Sequence, residues 1–157
     1  MQKLMQTGQK HSINKYQIKT IMPTTLSNIG VWALRLIAAL IMLQTLYFKF
    51  SAAEESVYIF TQLGMEPYGR IGIGAMELVA SILLLYPKTT VYGALLAIGL
   101  MAGALFFHLT KLGIEVRGDG GQLFIYALLV LLSSITLVLI YRQQLYAFIK
   151  LSPKWRL

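Results

Sequence analysis

Four apolar runs divide the chain, at residues 29–50, 67–86, 90–112 and 121–141. At about 1.5 Å rise per residue each is long enough to cross the roughly 30 Å hydrocarbon core of a bilayer as an α-helix. Within each run the small and polar residues recur at three-, four- and seven-residue spacing, which puts them on one helical face. In the first run that stripe is Arg35, Ala38, Ala39, Met42, Leu46 and Lys49; in the second it is Gly74, Glu77 and Ser81. In the third it is Gly93, Ala97, Met101, Ala104 and His108, and in the fourth Gln122, Tyr126, Leu129, Ser133 and Thr136. Small residues let helix backbones approach in lipid and polar ones need partners there, so these stripes are expected to face one another. Gly99 and Gly103 add a separate GxxxG face to the third run. The pattern predicts an all-α, integral membrane four-helix bundle made of two antiparallel hairpins.

The connections support that topology. Pro87-Lys88-Thr89 is too short for anything but a tight hairpin between the second and third spans. In the first long loop Ser51-Ala-Ala-Glu54 has the form of a capping box, and Val57, Tyr58, Phe60 and Leu63 follow at helical spacing before Gly64. A short interfacial helix with its aromatics in the lipid headgroup region is expected there. Gly113-Ile-Glu-Val-Arg-Gly-Asp-Gly-Gly121 should turn tightly. A weak internal repeat relates Thr45-Leu-Tyr-Phe-Lys-Phe to Ala104-Leu-Phe-Phe-His-Leu, and Gly64-Met-Glu-Pro-Tyr-Gly-Arg to Gly113-Ile-Glu-Val-Arg-Gly-Asp. It would make Lys49 equivalent to His108 and Glu77 to Tyr126.

Composition agrees with a membrane chain: 57% of the 157 residues are hydrophobic and 13% charged, with a mean hydropathy of +0.65. The net charge of +8 does not imply nucleic acid, because the bases sit outside the apolar runs. The lysines of the tail 1–28, Lys88, Arg142 and the bases of the tail 143–157 instead follow the positive-inside rule, with both termini cytoplasmic. Glu54, Glu55, Glu66, Glu115 and Asp119 then fall outside. The absence of cysteine removes disulfides, thiolate catalysis, iron–sulfur clusters and thioether-attached haem.

The sixth acid, Glu77, lies inside the second span, where an ionised carboxylate must be paired or hydrated. Counted from the cytoplasmic ends, Arg35 sits about 10 Å in and Glu77 about 15 Å in, a gap a guanidinium can bridge. A buried Arg35–Glu77 ion pair is therefore expected, with Lys49 and His108 forming a second polar group near the outer surface.

Arg35-Leu-Ile-Ala-Ala-Leu-Ile-Met-Leu-Gln-Thr-Leu-Tyr-Phe-Lys49, the Gly64…Pro67 approach, Gly72-Ile-Gly-Ala-Met-Glu77 with its Leu-Leu-Leu, and His108 in the third span resemble the DoxX-like family of small four-helix membrane proteins. The likeness covers about Asn28 to Arg142, with Gln44 standing where the family often has a glycine. It implies a bacterial inner-membrane protein, in a family named for a subunit associated with a terminal quinol oxidase and with relatives linked to thiosulfate–quinone oxidation. Membrane redox subunits would then be its partners besides lipid. An outer ligand pocket would be formed by Lys49, His108, Tyr47, Phe48, Phe106, Phe107 and Tyr126, where a quinone could find a donor and apolar walls. Haem is disfavoured, since a membrane b-haem wants two axial histidines and the second histidine, His11, is in the tail. Two other functions compete: a proton-coupled carrier using Glu77, which with four spans would have to be a homo-oligomer, and a purely structural assembly protein. No nucleophile–base pair, phosphate loop or metal-ligand set argues for an independent enzyme.

Overall fold

The computed structural model describes residues 25–150, with side chains placed for 28–143. The basic tails expected at 1–28 and 143–157 fall largely outside the described residues, as does His11. Helix α1 runs Thr25–Phe50, α2 is the short Glu54–Gln62 and α3 runs Tyr68–Leu85. Helix α4 covers Thr90–Phe107 and continues as a π-helical turn, His108–Leu112; α5 spans Gln122–Lys150. Every described element is helical, and α1, α3, α4 and α5 are each long and apolar enough to cross a membrane. Helix α1 packs on α3 and α5, and α4 packs on the same two, so the four close into a ring of antiparallel neighbours.

Small residues set the spacing of that ring. Ala38, Ala80, Ala94 and Ala97 are fully buried beside Met42, Leu84, Val130 and Leu137. The α3–α4 hairpin is tightest at Gly93, where a Cβ would come within 2.5 Å of the Leu84 backbone nitrogen and 2.9 Å of the Ala80 carbonyl oxygen. Gly99 and Gly103, by contrast, have nothing within 4 Å of a Cβ position. The GxxxG face thus makes no helix contact within the chain. From Gly93 onward α3 and α4 diverge, and the end of the bundle covered by α2 is hollow.

The predicted stripes of the first three spans face inward, apart from partial exposure at Leu46, Lys49 and Ala104. That of the fourth does not: Gln122, Leu129 and Thr136 are exposed, and the buried line is Ala127, Val130, Ser134 and Leu137. Those polar groups need no inward partner. Thr136 Oγ1 donates to Leu132 O at 2.8 Å within its own helix, and Gln122 Nε2 donates to the Tyr126 hydroxyl at 2.6 Å.

The expected capping box also fails to form. Ala52 takes φ +52°, Ser51 N–H donates to Tyr47 O and Ala53 N–H to Phe48 O, so Ser51 belongs to the end of α1 and Glu54 starts α2 without a side-chain cap. Helix α2 buries Ser56 and Phe60 against the bundle. Of its aromatics Tyr58 is exposed, with the Arg117 guanidinium 5.5 Å over its ring, while Phe60 points inward rather than into the interface. The result is a roof over the open end.

Candidate functional site

Glu77, 4% exposed, pairs with Lys49 across α1 and α3, Nζ to Oε2 at 2.9 Å, and accepts a longer bond of 3.3 Å from Thr45 Oγ1. The expected Arg35–Glu77 pair does not exist. Arg35 is 1% exposed and donates from Nε to Leu84 O at 2.6 Å and from Nη2 to Leu85 O at 2.5 Å, with Trp32 stacked 4.0 Å from the guanidinium carbon. The reason is the hairpin register. Residue 49 lies level with 74, since a Cβ at Gly74 would meet Lys49 Cβ at 3.5 Å. Lys49 is therefore about 4.5 Å along the axis from Glu77, and Arg35 about 11 Å from it on the other side. Counting depth from the span ends assumed flush helices, whereas α3 starts well beyond the end of α1.

Two buried arginines fix this register reciprocally. Arg35, on α1, satisfies the last carbonyls of α3, which Pro87 leaves without following N–H donors; Thr89 Oγ1 covers Leu83 O at 2.9 Å. Arg70, on α3, does the same for α1: Nη1 donates to Lys49 O, while Glu66 holds its Nε and Nη2 at 2.8 Å each. Each cation also opposes the negative end of its neighbour's helix dipole. Arg70 escaped the sequence reading, although Glu66 four residues earlier and the free carbonyls ending α1 both called for a donor.

Across the bundle His108, 6% exposed, opens the π-helical turn. Its Nδ1 lies 2.8 Å from the carbonyl oxygen of Gly113, whose φ of +81° ends the turn, and its ring packs edge-on to Phe124 with centroids 5.8 Å apart. Asp119 then organises the loop into α5: Oδ1 accepts from Val116 N–H at 2.8 Å and Gly121 N–H at 2.9 Å, and Oδ2 from Leu123 N–H at 3.1 Å. Partial burial works against ionisation of Asp119, but these three N–H groups and the nearby His108 outweigh it and hold the carboxyl below its usual range.

Between these groups lies a cavity of about 620 Å³, walled by Ile41, Met42, Phe60, Met76, Leu100 and Met101 among others. Lys49, Glu77, His108, Phe48, Phe107 and Tyr126 all line it. Tyr47 and Phe106, expected in the same pocket, do not. They are 72% and 60% exposed and pack only edge-on against Phe48 and Phe107, because adjacent residues on a helix point about 100° apart. Met76, Leu95 and Gly99 line the cavity and are exposed as well, so it opens sideways between α3 and α4. No group of three acids or histidines among the described residues is placed to hold a metal ion.

The model of the DoxX-like family matches residues 33–137 of the 157. The chain belongs to the DoxX-like family. The matched segment contains both arginine clamps, the Lys49–Glu77 pair and His108, so the whole cavity lies inside the family region. Gln44, the departure from the family pattern, lies exposed on the cavity rim and occupies no close helix contact. No curated protein and no solved structure matches the chain.

Proposed function

We propose that this DoxX-like membrane protein binds a quinone-class molecule in the cavity between Lys49–Glu77 and His108, as an accessory component of a membrane redox system. The observation that carries the reading is a cavity of about 620 Å³, within the range of small-molecule sites, whose walls are apolar except for a few convergent polar groups. A quinone head needs flat apolar walls and one or two polar contacts to its oxygens. Its isoprenoid tail needs a lateral exit into lipid, which the gap at Met76, Leu95 and Gly99 supplies. Lys49 Nζ retains two N–H donors beyond the one given to Glu77. The same reading places the protein in a bacterial inner membrane with both termini cytoplasmic and the cavity toward the outer face.

The test fills the cavity without touching its polar groups. Gly103 lines it and has free space at the Cβ position, so Gly103→Phe projects a ring inward. Protein purified in mild detergent is expected to carry quinone detectable by mass spectrometry, and Gly103→Phe to lose it with an unchanged melting temperature. Wild-type protein that neither copurifies with a quinone nor binds one when it is added would overturn the proposal.

A further inference from the structure

We infer that the cavity selects the reduced, hydroxyl-bearing form of its ligand, a hydroquinone over the corresponding quinone, and that His108 makes the distinction. The inference rests on the quinone-class reading of the cavity and goes beyond it by naming the redox form. A backbone carbonyl can only accept, so at 2.8 Å from Gly113 O the Nδ1 atom of His108 must carry the hydrogen. A neutral imidazole has a single N–H, which leaves Nε2 as a lone pair. Among the described residues nothing hydrogen-bonds Nε2, although the side chain is 6% exposed and lines the cavity. The Gly113 contact and the edge-on Phe124 ring hold the imidazole in that orientation.

A quinone oxygen is an acceptor. Against Nε2 it would set lone pair against lone pair and leave two buried polar atoms unsatisfied. A hydroquinone O–H donates to Nε2 and satisfies both. The other polar groups on the wall do not discriminate. Lys49 Nζ donates to an oxygen of either form. Glu77 is engaged by Lys49 and Thr45, both Asp119 oxygens are taken by backbone N–H groups, and Gln122 Nε2 is given to Tyr126. The Tyr126 hydroxyl, already an acceptor from Gln122, has only its hydrogen to offer, which either form accepts.

The full chain in detergent is titrated calorimetrically, without oxygen, with a short-chain benzoquinone, its hydroquinone and the dimethyl ether of that hydroquinone. The hydroquinone is expected to bind about ten-fold tighter than the other two, the scale of one hydrogen bond against an unsatisfied buried acceptor. In His108→Phe its affinity should fall to that of the quinone, with quinone binding unchanged. Equal affinities for hydroquinone and quinone in the wild-type protein overturn the inference and leave the quinone-class reading standing. A hydroquinone preference that survives His108→Phe removes His108 as its source. Failure of all three ligands to bind overturns both readings together.

Discussion

At the scale of single residues, the buried charges are stabilised by quite different partners. Lys49 and Glu77 form an ion pair whose side chains are 14% and 5% exposed, and removing one partner strands the other in a poorly solvated site at a cost of about 3–5 kcal/mol. Glu77→Ala should therefore lower the melting temperature in detergent far more than Glu54→Ala, whose carboxylate is exposed and 3.5 Å from Arg117. The double variant Lys49→Met/Glu77→Leu should recover most of the loss, since neither charge is left behind. A double variant as unstable as Glu77→Ala alone would show that the charges are not what the site depends on. Arg35 is bound to carbonyls, so no acidic substitution can rescue it. Arg35→Met leaves Leu84 O and Leu85 O without donors where water is scarce, and a loss of about 2–4 kcal/mol is expected. Asp119 gives a pH dependence of known sign. A carboxyl whose folded-state pKa is depressed contributes stability that is complete above its unfolded value of about 3.9 and is lost as pH falls through the lower folded value. Amide exchange at Val116 and Leu123 should accelerate in that acid window, and in Asp119→Asn the acceleration should be gone.

At the scale of elements, what could be read from the sequence was what periodicity encodes, and what could not was relative placement. Helix α3 shows both sides: its inward face was readable from Gly74, Glu77 and Ser81, whereas its offset beside α1, on which the partner of Glu77 depends, has no periodic signal. Half of the expected pocket was legible for the same reason. Lys49, His108, Phe48 and Phe107 follow from facing stripes, and Tyr47 and Phe106 failed because sharing a neighbourhood in sequence is not sharing a helix face. The polar stripe of α5 failed because Thr136 and Gln122 satisfy themselves locally. Glycine spacing likewise did not reveal which glycines pack. Gly93→Ala drives a methyl into the backbone of Leu83 and Leu84, so α3 must move and a loss of about 1–3 kcal/mol is expected. Gly99→Ala meets nothing and gains up to about 1 kcal/mol from helix propensity. Denaturation of the two variants in matched detergent checks the contrast. Equal destabilisation would mean that Gly99 is packed.

At the scale of the whole molecule, the ring of helices has two unlike ends, and charge decides which faces the cytoplasm. Of the 14 Lys and Arg residues, Lys49, Arg70, Lys111 and Arg117 belong to the end carrying α2. The remaining ten, 14 less 4, lie in the N-terminal tail, at Arg35, at the Pro87 turn, or from Arg142 onward. Three of the four at the α2 end are held by acids, Lys49 by Glu77, Arg70 by Glu66 and Arg117 by Glu54. Orientation follows the Lys and Arg bias, not the net charge, so the ten-to-four division sets the Pro87 turn on the cytoplasmic side. Because the chain contains no cysteine, single substitutions report on this without a background. Lys88 and Glu115 are both exposed, at opposite ends of the bundle. In intact bacterial spheroplasts an impermeant maleimide should label Glu115→Cys at once and Lys88→Cys only after the membrane is opened. The reverse pattern would place the cavity mouth and the Lys49–Glu77 pair on the cytoplasmic side, and any redox partner reaching the roof helix α2 would then have to approach from the cytoplasm.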